Sequence, residues 1–222
     1  MKELLIENKK IYYKDHLDGG GGDFGIKSFK HNLVVPYIRK GKIVEMCSGP
    51  AFIGFYLNFI GLAEELYLID INDENRSCVE ETIKINQLTN THFIHSDVFK
   101  SFDTQIVFDT IVSNPPMFKK PSSTFYYENN EYLLAIDEDW KFHKEFFSSV
   151  DKFMDNDSRI IMVENYYGIS LKEITELLSN TNLIIEDVVS TNGVVDNIHS
   201  FYTIILKLKN NIDSNKKIQK II

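Results

Sequence analysis

The sequence predicts an α/β fold, a doubly wound and mainly parallel sheet of seven strands with an antiparallel last strand and an N-terminal extension. Three observations carry that expectation. Short apolar runs of strand length alternate evenly with segments of helical apolar spacing. Acidic or amide residues stand at the carboxyl ends of those runs, where open α/β sheets bind ligands. The last two runs, Leu183–Ser190 and Ser200–Lys207, follow one another without a helical pattern between them, as a hairpin would.

The elements follow in order. Met1–Lys14, with its Tyr12-Tyr13 pair, predicts a small strand or helix covering one sheet edge. Next comes Gly19-Gly20-Gly21-Gly22, which is costly to order. It is either a flexible linker or a loop that closes over a ligand and carries Asp18, Asp23 and Phe24. Ser28–Arg39 predicts the first core helix, interrupted at Pro36. Lys42–Cys47 reads as a buried strand, and Ser48–Gly54 as a turn entering a helix. Leu66–Asp70 and Thr91–His95 are further strands, separated by an amphipathic helix over Asn72–Leu88 with Val79, Ile83 and Leu88 inward. A fourth strand, Phe108–Ser113, delivers Asn114. Asp139–Met154 predicts a helix with Trp140, Phe146, Val150 and Phe153 in the core, Ser158–Val163 a fifth strand, and Ser170–Ser179 a further helix. The expected division is an arm with its Gly-rich loop (1–29), one domain (30–209) and a tail (210–222).

Asn114-Pro115-Pro116-Met117 carries the most chemistry. Prolines fix φ and remove donors, so an Asn followed by two of them at a strand end presents an edge of hydrogen-bond acceptors. Such an edge grips the hydrogens of a planar amine or amide nitrogen; on its own it is equally a tight turn. Upstream, the small-residue turn Cys47-Ser48-Gly49-Pro50-Ala51 lets backbone approach a ligand closely. Asp70, about twenty residues on, stands where a carboxylate binds a ribose diol. Ser96-Asp97 ends the third strand.

In these motifs and their order, roughly residues 30 to 208 resemble the class I S-adenosylmethionine-dependent methyltransferases with an Asn-Pro-Pro-(aromatic) motif after strand four. That group includes methylases of adenine N6, guanine N2 and protein glutamine amide. The resemblance implies a Rossmann-like fold and S-adenosyl-L-methionine as cofactor. It places Glu45, Cys47, Ser48, Gly49 and Pro50 around the methionine part, Asp70 with Ile71 at the ribose, and Asp97 with Val98 at the adenine. Asn114, Pro115 and Pro116 become the catalytic loop, Asn114 also bordering the cofactor, with Met117 and Phe118 on the substrate side. Two departures stand out: Cys47 and Ala51 occupy positions often held by glycine, and Met117 stands where the aromatic is expected, with Phe118 one place later.

Two more residues join the substrate candidates. His143 is either a hydrogen-bonded structural residue or a base. Glu164, after the fifth strand, orients a substrate amine or serves as a cap. The long connection after Met117 holds Lys119-Lys120-Pro121 and Phe125-Tyr126-Tyr127, which either select substrate or pack back on the sheet.

Composition narrows the partners. The 222 residues and 43% hydrophobic content suit one domain with a sizeable core. No apolar run is long enough to span a bilayer and no leader opens the chain, so a cytoplasmic protein without membrane attachment is expected. Cys47 and Cys78 lack metal-ligand spacing, so free thiols and no metal are expected, with Cys78 in a helix core. The net charge of −8 disfavours a polyanion, whose phosphates need clustered Lys and Arg; the visible basic concentration is Lys207, Lys209, Lys216 and Lys217. The expected reaction is therefore N-methylation of a planar amide or amine in a small molecule or protein side chain. RNA or DNA base methylation is the alternative within the class, and a non-catalytic cofactor-binding subunit the alternative outside it. The residues assign no oligomeric state.

Overall fold

The computed structural model describes residues 1–18, Ile26, Phe29, 34–102, 106–119, 134–190 and 201–209. The chain opens with β1 (Lys2–Ile6) and β2 (Lys9–Tyr13), paired antiparallel. Glu7 and Asn8 between them have φ of 48° and 61°, the doubly left-handed turn that matches strand twist. The main sheet contains β3 (Gly41–Met46), β4 (Ala63–Asp70), β5 (Thr91–His95), β6 (Thr110–Ser113), β7 (Arg159–Asn165), β8 (Leu183–Ser190) and β9 (Phe201–Leu208). Its order is β5-β4-β3-β6-β7-β9-β8, parallel throughout except that β9 runs antiparallel to both neighbours. The expected seven-stranded sheet with an antiparallel last strand is thus observed.

Helices α1 (Phe52–Phe59), α2 (Arg76–Ile85), α3 (Lys141–Ser149) and α4 (Leu171–Leu178) flank the sheet among the described residues. Side-chain alternation along each strand feeds two cores. Ile43, Val112 and Ile161 face one that holds Phe52, Phe55 and Val79, whereas Val44, Ile111 and Ile160 face one that holds Phe146, Phe147 and Ile174. Burial on both faces is why the central strands read as nearly continuous apolar runs. Cys78 is fully buried on α2. No helix of the described residues is long and apolar enough to cross a membrane.

Several expectations are corrected. The N-terminal hairpin covers helices rather than a sheet edge: the Tyr12 N–H donates to Thr82 Oγ1 at 2.9 Å, Asn86 Nδ2 to the Lys10 carbonyl at 2.7 Å, and Tyr13 meets Phe52 edge-on at 5.4 Å. The first core helix does not reach Arg39. Ile26 and Phe29 are helical, but Val35–Tyr37 is a 3₁₀ turn with Pro36 in it and Ile38 is extended. The segment from Asn72 begins as a 3₁₀ turn, Asp73–Asn75, whose Glu74 N–H is capped by Asn72, and the α-helix starts at Arg76. The next predicted helix starts at Lys141, because Asp139 and Trp140 have φ of 52° and 58°. Strand β7 runs on through Glu164 and Asn165, so Glu164 belongs to the strand and not to the loop after it. The Gly19–Gly22 loop with Asp23 and Phe24, Lys120-Pro121, the trio Phe125-Tyr126-Tyr127 and the tail from 210 lie outside the described residues.

Candidate active site

Because β3 is flanked by β4 on one side and β6 on the other, the connections leaving its neighbours diverge and open a crevice at the carboxyl edge. A cavity of about 300 Å³ fills it. The turn after β3 forms one wall. Cys47, Gly49 and Ala51 have φ of 55°, 50° and 65°, so all three positions adopt the left-handed backbone that glycine takes most readily. For Cys47 and Ala51 this costs of order 1–2 kcal/mol each. The loop is over-determined by bonds from Ser48 N to the Ile69 carbonyl (2.9 Å) and from Gly49 N to Asp70 Oδ2 (2.6 Å).

Glu45, on β3, is 3% exposed and accepts the Gly54 N–H at 2.7 Å, at the start of α1. Gly54 leaves room for this bond, since a Cβ there would lie 2.7 Å from Glu45 Oε2 and from Leu68 Cδ2, and those side chains would have to shift. Burial pushes the Glu45 carboxyl up to about 8, against the lowering effect of the Gly54 bond. Asp70, at the end of β4, accepts Gly49 N through Oδ2 and Asn72 N through Oδ1 at 2.8 Å; burial raises its pKa, and those two bonds oppose the shift. Its neighbour Ile71 is a 56% exposed apolar side chain in the cavity wall. Across the floor, Asp97 holds Lys100 at 2.6 Å, and Val98 is buried beside it with φ of 52°. The Cys47 thiol, pushed up by burial and by the Asp70 charge, remains protonated.

The far wall contains Asn114 and Pro116. Asn114 Oδ1 is buried and accepts no hydrogen bond among the described residues. Pro115 and Met117 are buried behind this edge, and Phe118 forms an isolated parallel bridge with Ile136: Phe118 N donates to the Ala135 carbonyl and Asp137 N to the Phe118 carbonyl, both at 2.9 Å. Gly168 abuts the loop from the other side, where a Cβ would lie 1.9 Å from the Met117 carbonyl oxygen.

Glu45, Cys47, Ser48, Gly49, Pro50, Asp70, Ile71, Asp97, Val98, Asn114 and Pro116 therefore meet around one cavity. Pro115, Met117, Phe118, His143 and Glu164 lie outside its wall. His143 and Glu164 are fully buried and bonded to each other, Nε2 to Oε1 at 2.9 Å. Sequence reasoning missed Asp137, which joins the wall and bonds His143, as well as Gly54 and Gly168; the glycines carry no local signal because the atoms they avoid are distant in sequence.

Most of the lining surface is apolar, and its charged side chains are mainly acidic, Glu45, Asp70, Asp97, Asp137, Glu138 and Glu145 among them, against Lys141 in the wall and Lys100, which pairs with Asp97 and Glu145. Such a chamber favours a ligand with positive charge and hydroxyl or amino hydrogens to donate. S-adenosylmethionine has that chemistry, and Asn114 and Pro116 stand in the wall of the same cavity.

Known proteins resemble this chain in sequence and in fold. A release factor glutamine methyltransferase of Fusobacterium nucleatum is 26% identical over 136 residues, which is 59% of this chain and 38% of that protein. A ribosomal protein uL3 glutamine methyltransferase of Francisella tularensis is 29% identical over 128 residues, 55% of this chain and 40% of that one. The match thus spans about two fifths of each relative. Among solved structures, an S-adenosylmethionine-dependent methyltransferase from Clostridium acetobutylicum superposes with a TM-score of 0.61 at 15% identity over 83% of this chain and 91% of that one, a likeness of fold. A family profile described as methyltransferase small domain matches residues 4–130, more than half of the chain and the part that builds the cavity from Glu45 to Asn114, and the chain belongs to that family.

Proposed function

We propose that this protein transfers a methyl group from S-adenosyl-L-methionine to a planar nitrogen, with a protein side-chain amide as the acceptor. The observation that carries this reading is the buried Asn114 Oδ1, without a hydrogen-bond partner among the described residues, in the wall of a cavity whose charged side chains are mainly acidic. A buried acceptor without a partner costs about 1–3 kcal/mol, and a substrate N–H removes that cost. The cofactor supplies a methyl carbon already activated by its sulfonium, so the protein's part is alignment and exclusion of water.

Asp70 takes the ribose hydroxyls on the lone pairs left free by Gly49 and Asn72, Ile71 and Val98 flank the base, and Glu45 with the left-handed turn holds the amino-acid end. Asn114 Oδ1 and the Pro115 carbonyl accept the N–H groups of the acceptor. Those bonds strengthen as the nitrogen becomes pyramidal and positive, which lowers the barrier and not merely the ground state. The relatives' names point to glutamine as acceptor, and the acidic lining and net charge favour protein over nucleic acid. A release factor or ribosomal protein as substrate supports a cytoplasmic site of action.

The test combines calorimetry with S-adenosylhomocysteine and transfer of labelled methyl to unmethylated release factor, ribosomal protein uL3 and transfer RNA. Binding together with label in a protein glutamine is the expected result. Absence of binding removes the methyltransferase reading, and label in RNA replaces the acceptor.

A further inference from the structure

Behind the acceptor wall lies a buried chain of three ionisable side chains. Asp137, on the segment that bridges the catalytic loop, is 3% exposed and lines the cavity. His143 on α3 and Glu164 on β7 are 0% exposed. His143 Nδ1 lies 2.6 Å from Asp137 Oδ2 and Nε2 lies 2.9 Å from Glu164 Oε1. Both ring nitrogens therefore face carboxylate oxygens. Oxygens of ionised carboxylates only accept, so both contacts are hydrogen bonds when the ring carries two protons.

We propose that Asp137, His143 and Glu164 form a carboxylate–imidazolium–carboxylate relay whose cavity end, Asp137, accepts the proton of the nitrogen being methylated. The proposal rests on the methyl-transfer reading above. Asp137 has the capacity: Oδ2 takes His143 N at 3.1 Å and Nδ1, Oδ1 takes Phe142 N at 2.7 Å, and a lone pair on Oδ1 remains. Its carboxylate is also fixed, since the same bonds cap α3 and its backbone N–H is tied to Phe118. The chain enters α3 through left-handed Asp139 and Trp140, a strained corner of the kind found at functional sites.

The balance closes with the groups named. The nitrogen lone pair forms the new N–C bond, the S–C pair passes to sulfur, and the nitrogen's proton passes to Asp137 Oδ1, leaving a neutral N-methyl product and a carboxylic acid that loses its proton to solvent on release. Asp137 is the catalytic group; His143 and Glu164 position it and hold a compensating charge. Interaction with Glu164 and Asp137 raises the His143 pKa to about 9 although burial opposes it. Two further titratable groups face the relay among the described residues: Tyr202 on β9, which donates its hydroxyl to the Ile169 carbonyl at 2.7 Å, and the Cys47 thiol, which the Asp137 charge helps push up. A carboxylate base suits weakly basic nitrogens, primary amides and aromatic amines, and does not suit aliphatic amines, whose products hold their proton at neutral pH.

Two measurements test this. In the whole chain labelled with ¹⁵N-histidine, His143 should carry protons on both ring nitrogens at pH 7, and Glu164→Gln should remove one. A singly protonated His143 in the wild type overturns the relay whatever the acceptor. With S-adenosylmethionine and unmethylated release factor, Asp137→Asn should lower kcat by about a hundredfold or more, the usual worth of a general base, with S-adenosylhomocysteine affinity unchanged. His143→Gln should add little to that loss in the double variant, as for residues that act as a unit. A kcat for Asp137→Asn within threefold of wild type overturns the base role. If wild type binds S-adenosylhomocysteine but leaves release factor unmodified, the acceptor reading fails, and the histidine measurement still decides the relay.

Discussion

Gly168 stands so close to Met117 that a β-carbon on it would lie 1.9 Å from the Met117 carbonyl oxygen. No flexible side chain is available to yield, because the obstructing atom is backbone. Gly168→Ala should therefore push the Asn114–Met117 loop away from its position while leaving the Cys47–Ala51 turn and Asp70, which belong to other elements, in place. A misplacement on the ångström scale costs roughly a hundredfold in rate. Steady-state kinetics beside calorimetry should show a large loss of kcat with S-adenosylhomocysteine affinity retained; equal activity in the variant would mean that the loop does not depend on this contact.

Glu45 sets a pH dependence. A carboxyl raised from 4.5 to about 8 in the folded chain binds its proton more tightly there than in the unfolded chain. Its contribution to stability is thus full below the unfolded value and is lost as pH rises toward 8. His143, raised from 6.5 to about 9, acts in the same direction between those values. Thermal melts of the empty protein should fall from pH 6.5 to 9, and Glu45→Gln should flatten part of that decline. Cofactor binding has the opposite sign. A cationic ligand favours the carboxylate, so affinity should rise by up to about tenfold per pH unit below 8 and level off above it. Calorimetry in buffers of different ionisation heat would detect the released proton, and a pH-independent affinity would refute the coupling.

Asp70 supports two backbone donors as well as the expected ribose contact, accepting Gly49 N and Asn72 N. Asp70→Ala should weaken S-adenosylhomocysteine by roughly 1.5–3 kcal/mol, the worth of a hydrogen bond to a charged group, and also loosen the turn. Asp70→Asn keeps one acceptor oxygen and should lose less. Unchanged affinity in the alanine variant would remove Asp70 from the binding site.

What could be read in the sequence was local. Asp70, Asp97 and Asn114 each end an apolar run, so chain order alone places them on one sheet edge. The relay was illegible because Asp137, His143 and Glu164 come from a bridge, a helix and a strand, and only packing joins them. Glu164 reads as the end of its strand for the same reason: a polar residue continues a buried strand only when a partner such as His143 waits across the core. The left-handed angles at Cys47 and Ala51 are likewise hidden, since those residue types do not announce the strain that the fold imposes.

Asn114 gives the sharpest test, because its effects on activity and on stability should differ in sign. Its Oδ1 is buried without a partner among the described residues. In the empty protein that atom contributes no bond and carries a desolvation cost of about 1–3 kcal/mol. Asn114→Ala removes the cost, so the melting temperature should hold or rise. Methyl transfer should fall by roughly a hundredfold, on the order of 3 kcal/mol, since the lost bond is made to the acceptor nitrogen as its charge develops. Affinity for S-adenosylhomocysteine should stay near wild type, and loss confined to turnover marks an interaction formed in the transition state. Calorimetry, thermal melts and labelled-methyl transfer on the same variant separate the three quantities. A variant that melts several degrees lower and binds cofactor poorly would show that Asn114 is a structural turn residue, and a variant with wild-type turnover would end the nitrogen-acceptor mechanism.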